Sequence, residues 1–226
     1  MSELVLIRHG ETEWSRSGKH TSWTEQPLTA RGEEQARALR PLLAGRTIGL
    51  VLVSPLGRAA HTARLAGLDS AQTEPDLHEW DYGGYEGITT PEIHRTRPDW
   101  NLWTDGVAPG DAEHPGESPE QIGARVDRVL ARIAPALEGN ATDGTATDGT
   151  GDRGDVVLVA HGHVLRVLTA RRLGLPPSAG ALFRLDTATL SRLGTEHGRP
   201  AVVAWNVGSE PNSGRVATGS GAATAG

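Results

Sequence analysis

Cysteine is absent from this sequence, and lysine occurs once, at Lys19. Without thiols there is no disulfide framework, no thiolate nucleophile and no cysteine-ligated zinc. Arginine supplies every other side-chain cation apart from histidine. It suits bidentate phosphate contacts, although a biased genome composition explains the same excess. A basic surplus is missing too. The net charge of −6 gives no global field to draw in nucleic acid, so any bound anion has to be held by a local cluster of arginines. No apolar run approaches membrane-spanning length, so no membrane partner is expected. A strand pattern starts by residue 4, which leaves no room for a signal peptide and makes the cytoplasm the expected location.

What is present reads as α/β. With 37% hydrophobic and 22% charged residues, the 226-residue chain is long enough for one domain built around a sheet. That domain is expected over 1–207, with a flexible insertion at about 139–155 and a disordered tail over 208–226. The insertion repeats Thr-Asp-Gly but lacks the spacing and the bidentate Glu of a calcium loop, so it reads as solvated. Strands are expected at Leu4–Ile7, Ile48–Val53, Val156–Val159, Leu182–Asp186, Thr189–Leu193 and Ala201–Trp205, the last two paired around Glu196–Arg199. Thr29 caps a helix expected to run to about Leu43, and Gly57–Leu65 reads as a second. A third starts at the capping box Ser118-Pro119-Glu120-Gln121, and a fourth runs from Val164 to Leu173. Between Asp76 and Pro109 five of the chain's few large aromatics gather: Trp80, Tyr82, Tyr85, Trp100 and Trp103. Loops so equipped usually wall a pocket or close a core edge.

Three of the expected strands end in the same kind of residue. The first stops at Arg8-His9-Gly10-Glu11, the second at Ser54-Pro55 with Arg58 close behind, and the third at Ala160-His161-Gly162-His163. In open α/β sheets the carboxyl ends of strands are where ligands bind. Two histidines and two arginines on one rim suit a phosphoryl group. Neutral imidazole attacks phosphorus, arginine forks match phosphate oxygens, and fixed cations stabilise the charge spread in the transition state. Neighbouring arginines also disfavour the protonated imidazole. With that charge supplied by side chains no metal or other cofactor is required, and His161 with His163 would need a third metal ligand that no motif offers. An acid for the leaving oxygen is still required.

Four motifs in order, Arg8-His9-Gly10-Glu11-Thr12, Ser54 to Ala63, Leu77 to Gly87 and Ala160 to His163, resemble the signatures of the histidine phosphatase superfamily in its phosphoglycerate-mutase-like branch. The resemblance runs from residue 4 to about 206 and implies a three-layer α/β/α sandwich with a mostly parallel sheet. It implies that His9 accepts the phosphate, that Arg8, Arg58 and His161 hold it, and that Glu79 is the general acid and base. Asp81 and Glu86 are rival acids that spacing does not separate from Glu79. Gly162 allows close backbone approach, and Glu11 falls at a mostly structural position. Ser15, Thr21 and Ser22 lie in the stretch that resembles the substrate loop. Gly116-Glu117-Ser118 resembles a substrate-side motif. His163 reads as a helix-entry residue, and His20, His61, His78, His94, His114 and His197 as surface or packing residues.

The loops are more similar to actinobacterial-type acid phosphatases and fungal sedoheptulose bisphosphatases than to glycolytic mutases. The expected activity is therefore metal-independent hydrolysis of a small phosphorylated metabolite, a sugar phosphate being compatible with the aromatic walls. Because Glu79 must carry a proton to act as acid, an acidic optimum is expected. Mutase-type transfer and a non-catalytic phosphate-binding module are the alternatives. A homodimer is compatible with the sequence, though the edge strands and tail give no clear interface.

Overall fold

The computed structural model describes residues 2–138 and 154–208. Of the expected insertion and tail only Gly154, Asp155 and Gly208 fall within these residues, and Asp155 already begins a strand. Among the described residues six strands form one sheet: β1 (Leu4–Arg8), β2 (Ile48–Val53), β3 (Gln72–Thr73), β4 (Asp155–Ala160), β5 (Leu190–Glu196) and β6 (Arg199–Val207). Their order is β3-β2-β4-β1-β5-β6. The β3, β2, β4 and β1 strands run parallel, while β5 and β6 are antiparallel additions at one edge.

Among the described residues eight α-helices accompany the sheet: α1 (Glu13–Ser17), α2 (Ala30–Arg37), α3 (Arg40–Leu43), α4 (Gly57–Leu65), α5 (Thr90–His94), α6 (Leu102–Asp105), α7 (Pro119–Glu138) and α8 (Gly162–Arg172). The pleat sends alternate strand residues to opposite faces, and both faces are covered, which is why the parallel strands read as continuous apolar runs. Leu4, Leu6, Val156 and Leu158 pack against Ile122, Val126, Leu165 and Leu168 of α7 and α8. Val5, Ile7, Val157 and Val159 pack against Leu39, Ala59 and Ala63 on the other side. The three-layer α/β arrangement is as expected.

Three local expectations need correction. The helix expected over 29–43 is two helices, because Pro41 has no N–H to continue the ladder and its ring crowds the preceding turn. Leu182–Asp186 is not a strand. It leaves a 3₁₀ turn at Pro177–Leu182 as extended chain whose carbonyls serve side chains, Arg184 O accepting from Trp205 Nε1 and Leu185 O from Arg8 Nη1. The antiparallel neighbour of β1 is β5. Strand β3 was not anticipated, since its two residues are both exposed and carry no apolar signal.

The register places the site. Arg8 pairs with Ala160 across β1 and β4, and Val53 with Val159 across β2 and β4, so three carboxyl ends finish level. The next amides continue the ladders: His9 N donates to Ala160 O at 2.9 Å and Ser54 N to Val159 O at 3.0 Å.

Candidate active site

His9 leaves the end of β1 and is 5% exposed. Its Nδ1 lies 2.7 Å from the carbonyl oxygen of Gly10. A carbonyl can only accept, so Nδ1 carries the proton and Nε2 keeps its lone pair. Burial, then the neighbouring Arg58 and Arg8, hold the pKa of His9 well below the usual histidine range. The ring is therefore a neutral base. Close backbone packing keeps it in place: Gly10 N donates to Thr62 Oγ1 at 3.0 Å, and a Cβ on Gly10 would stand 2.3 Å from Gly32 O. Ala188, at φ 49°, donates its N–H to the carbonyls of both Arg8 and His9.

Arg8 donates Nη1 to Leu185 O at 2.5 Å, while its buried Nε has no partner. A buried guanidinium N–H is costly unless an anion accepts from it. Gly162 flanks this group closely, a Cβ there falling 3.3 Å from Arg8 Cζ. Arg58, from the first turn of α4, is 1% exposed. Its Nε donates to His161 Nδ1 at 3.2 Å, and its Nη atoms donate to the carbonyls of Thr21, Ser22 and Thr24. His161 must then accept at Nδ1 and carry its proton on Nε2, which donates to Ser54 Oγ at 2.7 Å. Burial first, then Arg58, lower the pKa of His161 far below the usual value. The two imidazoles lie 5.1 Å apart, edge to face.

Glu79 is 5% exposed and accepts three backbone N–H bonds. Trp80 and Val164 donate to Oε1 at 2.9 and 2.8 Å, and His163 donates to Oε2 at 3.0 Å. Two of these donors are orphan amides in the first turn of α8, where a helix favours negative charge. Asp81 and Glu86 are engaged elsewhere. Asp81 accepts from Gly83 N and Gly116 N, bracing its own loop, and Glu86 accepts from Ser22 N and Thr24 N.

Arg8, His9, Ser15, Thr21, Glu79 and Gly162 line one cleft of about 500 Å³, with Tyr82, Trp100 and Trp103 among its walls. Arg58 and His161 are fully buried and absent from that lining, joined to each other by a hydrogen bond and to His9 by the ring contact. Ser15 reaches the cleft with its hydroxyl committed to Thr12, from whose N it accepts and to whose O it donates. Thr21 donates its hydroxyl to Lys19 O. Ser22 is fully buried and absent from the lining, its hydroxyl turned to Glu79 O at 3.4 Å. Glu11 accepts from Thr29 Oγ1 and so ties the loop to α2.

Sequence reading missed two contributors. Arg125, 4% exposed, pairs through two nitrogens with Glu117 and donates to the carbonyls of Asp76, His78 and Glu79, fixing the segment that carries Glu79. A signal existed, because Arg125 falls on the apolar face of α7, between Ile122 and Val126. His20, read as a surface or packing residue, is buried against Tyr82 at 4.8 Å and lines the cleft.

Parallel strand ends that gather imidazole, guanidinium and carboxylate at one cleft belong to the α/β enzymes that act on phosphate esters. More narrowly, the chain belongs to the histidine phosphatase superfamily (branch 1), whose family model matches residues 4–208. It is 40% identical over 202 residues to the acid phosphatase of Mycobacterium tuberculosis, covering 86% of this chain and 87% of that one. It is 34% identical over 196 residues to the sedoheptulose 1,7-bisphosphatase of Saccharomyces cerevisiae, covering 76% and 67%. A solved structure of an open-reading-frame product from Mycobacterium tuberculosis matches with a TM-score of 0.79 at 37% identity, over 92% of this chain and 99% of that one. The chain is a phosphoric monoester hydrolase. Among the described residues no helix is long and apolar enough to cross a membrane.

Proposed function

We propose that the enzyme hydrolyses phosphate monoesters of small metabolites through a phosphohistidine on His9, with Arg8, Arg58 and His161 holding the phosphoryl group, the two arginines providing the positive charge, and no metal required. The observation that carries this is the tautomer of His9: Nδ1–H held by Gly10 O leaves the Nε2 lone pair free, and burial with the charges of Arg58 and Arg8 keeps the ring neutral. In the first step Nε2 forms a bond to phosphorus, the ester P–O bond breaks, and the leaving oxygen takes a proton from Glu79. In the second step water attacks phosphorus and gives its proton to Glu79, and the N–P bond breaks. The unpartnered Nε of Arg8 supports a phosphoryl oxygen beside Gly162. The relatives named as phosphatases support hydrolysis as the outcome, with a sugar phosphate among the candidate substrates.

The test is direct. Wild-type protein quenched during turnover should carry stoichiometric acid-labile phosphate, and His9→Ala should carry none. Undiminished turnover in His9→Ala overturns the reading. Interconversion of phosphoglycerates with a bisphosphate primer, in place of hydrolysis, would favour mutase chemistry instead.

A further inference from the structure

The cleft holds a hydrogen-bond donor that the chemistry on phosphorus leaves unused. Tyr82 is 2% exposed, and its hydroxyl lies 2.6 Å from Nδ1 of His163. Among the described residues the phenol has no other hydrogen-bond partner. Were Nδ1 the donor, the buried phenol proton would have no acceptor, which is costly. The phenol therefore donates, Nδ1 accepts, and the ring proton of His163 sits on Nε2. That atom is neither buried nor paired among the described residues, and His163 lines the cleft. Burial raises the phenol's pKa well above its ordinary value. Burial, then Arg166, His20 and Arg8, hold the pKa of His163 well below its own. Both groups stay neutral, so the donor is an uncharged N–H.

Its position decides what it meets. His163 opens α8, its backbone N–H binds Oε2 of Glu79, and its Nδ1 lies 3.9 Å from that oxygen. Glu79 serves the leaving oxygen in the mechanism above, so this donor stands beside the alcohol portion of the ester. The ring of Trp103 lies 5.3 Å from His163, and Tyr82 and Trp100 continue the wall. Aromatic faces interrupted by a few fixed polar groups are how clefts orient one small molecule and reject another.

We propose that Tyr82 and His163 form a hydroxyl-reading subsite, through which the enzyme selects phosphate esters of polyhydroxylated alcohols over those of plain alcohols. The inference rests on the hydrolytic reading above. His163 makes the contact and Tyr82 is a positioning residue that fixes its tautomer. A site built to bond a substrate hydroxyl discriminates against the analogue lacking it, because its own donor is then left unpaired.

Glycerol 1-phosphate and propyl phosphate share a carbon skeleton and differ in two hydroxyls, so the ratio of their kcat/KM values reads hydroxyl recognition, and the change of that ratio in the variants reads this subsite. The full chain should prefer the glycerol ester. His163→Phe, which keeps a ring but no donor, should lower that preference about three- to tenfold, the worth of one neutral hydrogen bond. Tyr82→Phe should lower it less, and the double variant no further than His163→Phe. Near-UV circular dichroism checks folding, and should His163→Phe fail to fold, the ratio in Tyr82→Phe decides. No preference in the wild type, or a ratio unchanged in the folded variants, overturns the proposal. An equal loss on both esters leaves the ratio unchanged and counts against it too. If the wild type releases phosphate from neither ester nor from 4-nitrophenyl phosphate, the hydrolytic reading falls and takes this inference with it; hydrolysis of 4-nitrophenyl phosphate alone overturns this inference only.

Discussion

Three carboxylates, Glu79, Asp81 and Glu86, share one loop, and hydrogen bonding separates them where spacing does not. Asp81 and Glu86 hold loop amides, whereas Glu79 alone of the three lines the cleft that contains His9. An acid that protonates a leaving oxygen matters in proportion to how poor that leaving group is. Glu79→Gln should therefore lower kcat for an alkyl phosphate by about 10²- to 10⁴-fold and cost much less on 4-nitrophenyl phosphate, whose phenolate leaves unaided. Asp81→Asn should show no such dependence on the leaving group. The check is the slope of log kcat/KM against leaving-group pKa in each variant. An unsteepened slope in Glu79→Gln would remove it from the role of acid.

At the scale of elements, the sheet and its ligand edge were legible because buried parallel strands write themselves as apolar runs; those of β1 and β4 stop at Arg8 and His161, and that of β2 at Ser54-Pro55 with Arg58 close behind. Helices α4 and α7 were legible because local contacts decide them, α4 as the run Gly57–Leu65 and α7 from its apolar spacing and the Ser118–Gln121 capping box. What could not be read was support across the chain. Leu182–Asp186 has a strand's composition, yet its carbonyls answer Arg8 and Trp205, which lie far away in sequence. The cradle of Glu79 depends on amides 84 and 85 residues further on, and no local pattern announces it. Arg125 is the clearest case, an arginine on an apolar helix face whose purpose appears only with the 76–79 carbonyls folded onto it. Replacing it by methionine keeps the bulk but leaves Glu117 and those carbonyls without their donor. Breaking a buried pair from one side costs about 3–5 kcal/mol, so Arg125→Met should lower stability in urea by that order. It should also reduce kcat by misplacing Glu79. A stability loss below about 1 kcal/mol, the worth of an exposed pair, would show that Arg125 is not a tie between α7 and the site.

Taken as a whole, the molecule buries His9, His20 and His161 and half-buries His78 and His163. His9, His20, His78, His161 and His163 all have lowered pKa values, with burial the leading cause in each. In the folded chain they stay neutral under conditions where the unfolded chain, titrating near the ordinary value of about 6.5, takes up protons. The unfolded state then binds more protons, so stability rises with pH across this window. Their contribution is fully present above about pH 6.5 and is lost as pH falls toward the lowered values, with a slope of up to about 1.4 kcal/mol per pH unit for each histidine. The melting temperature should accordingly fall between about pH 7.5 and pH 5.5. Inorganic phosphate should offset part of the fall, since an anion beside His9 and His161 favours their protonated forms and binds only the folded chain. Differential scanning calorimetry across that range, with and without phosphate, checks both statements. A melting temperature independent of pH would contradict the burial of neutral imidazoles. A pH-dependent one that phosphate leaves untouched would locate the effect in His20, His78 and His163, away from the paired rings under the strand ends.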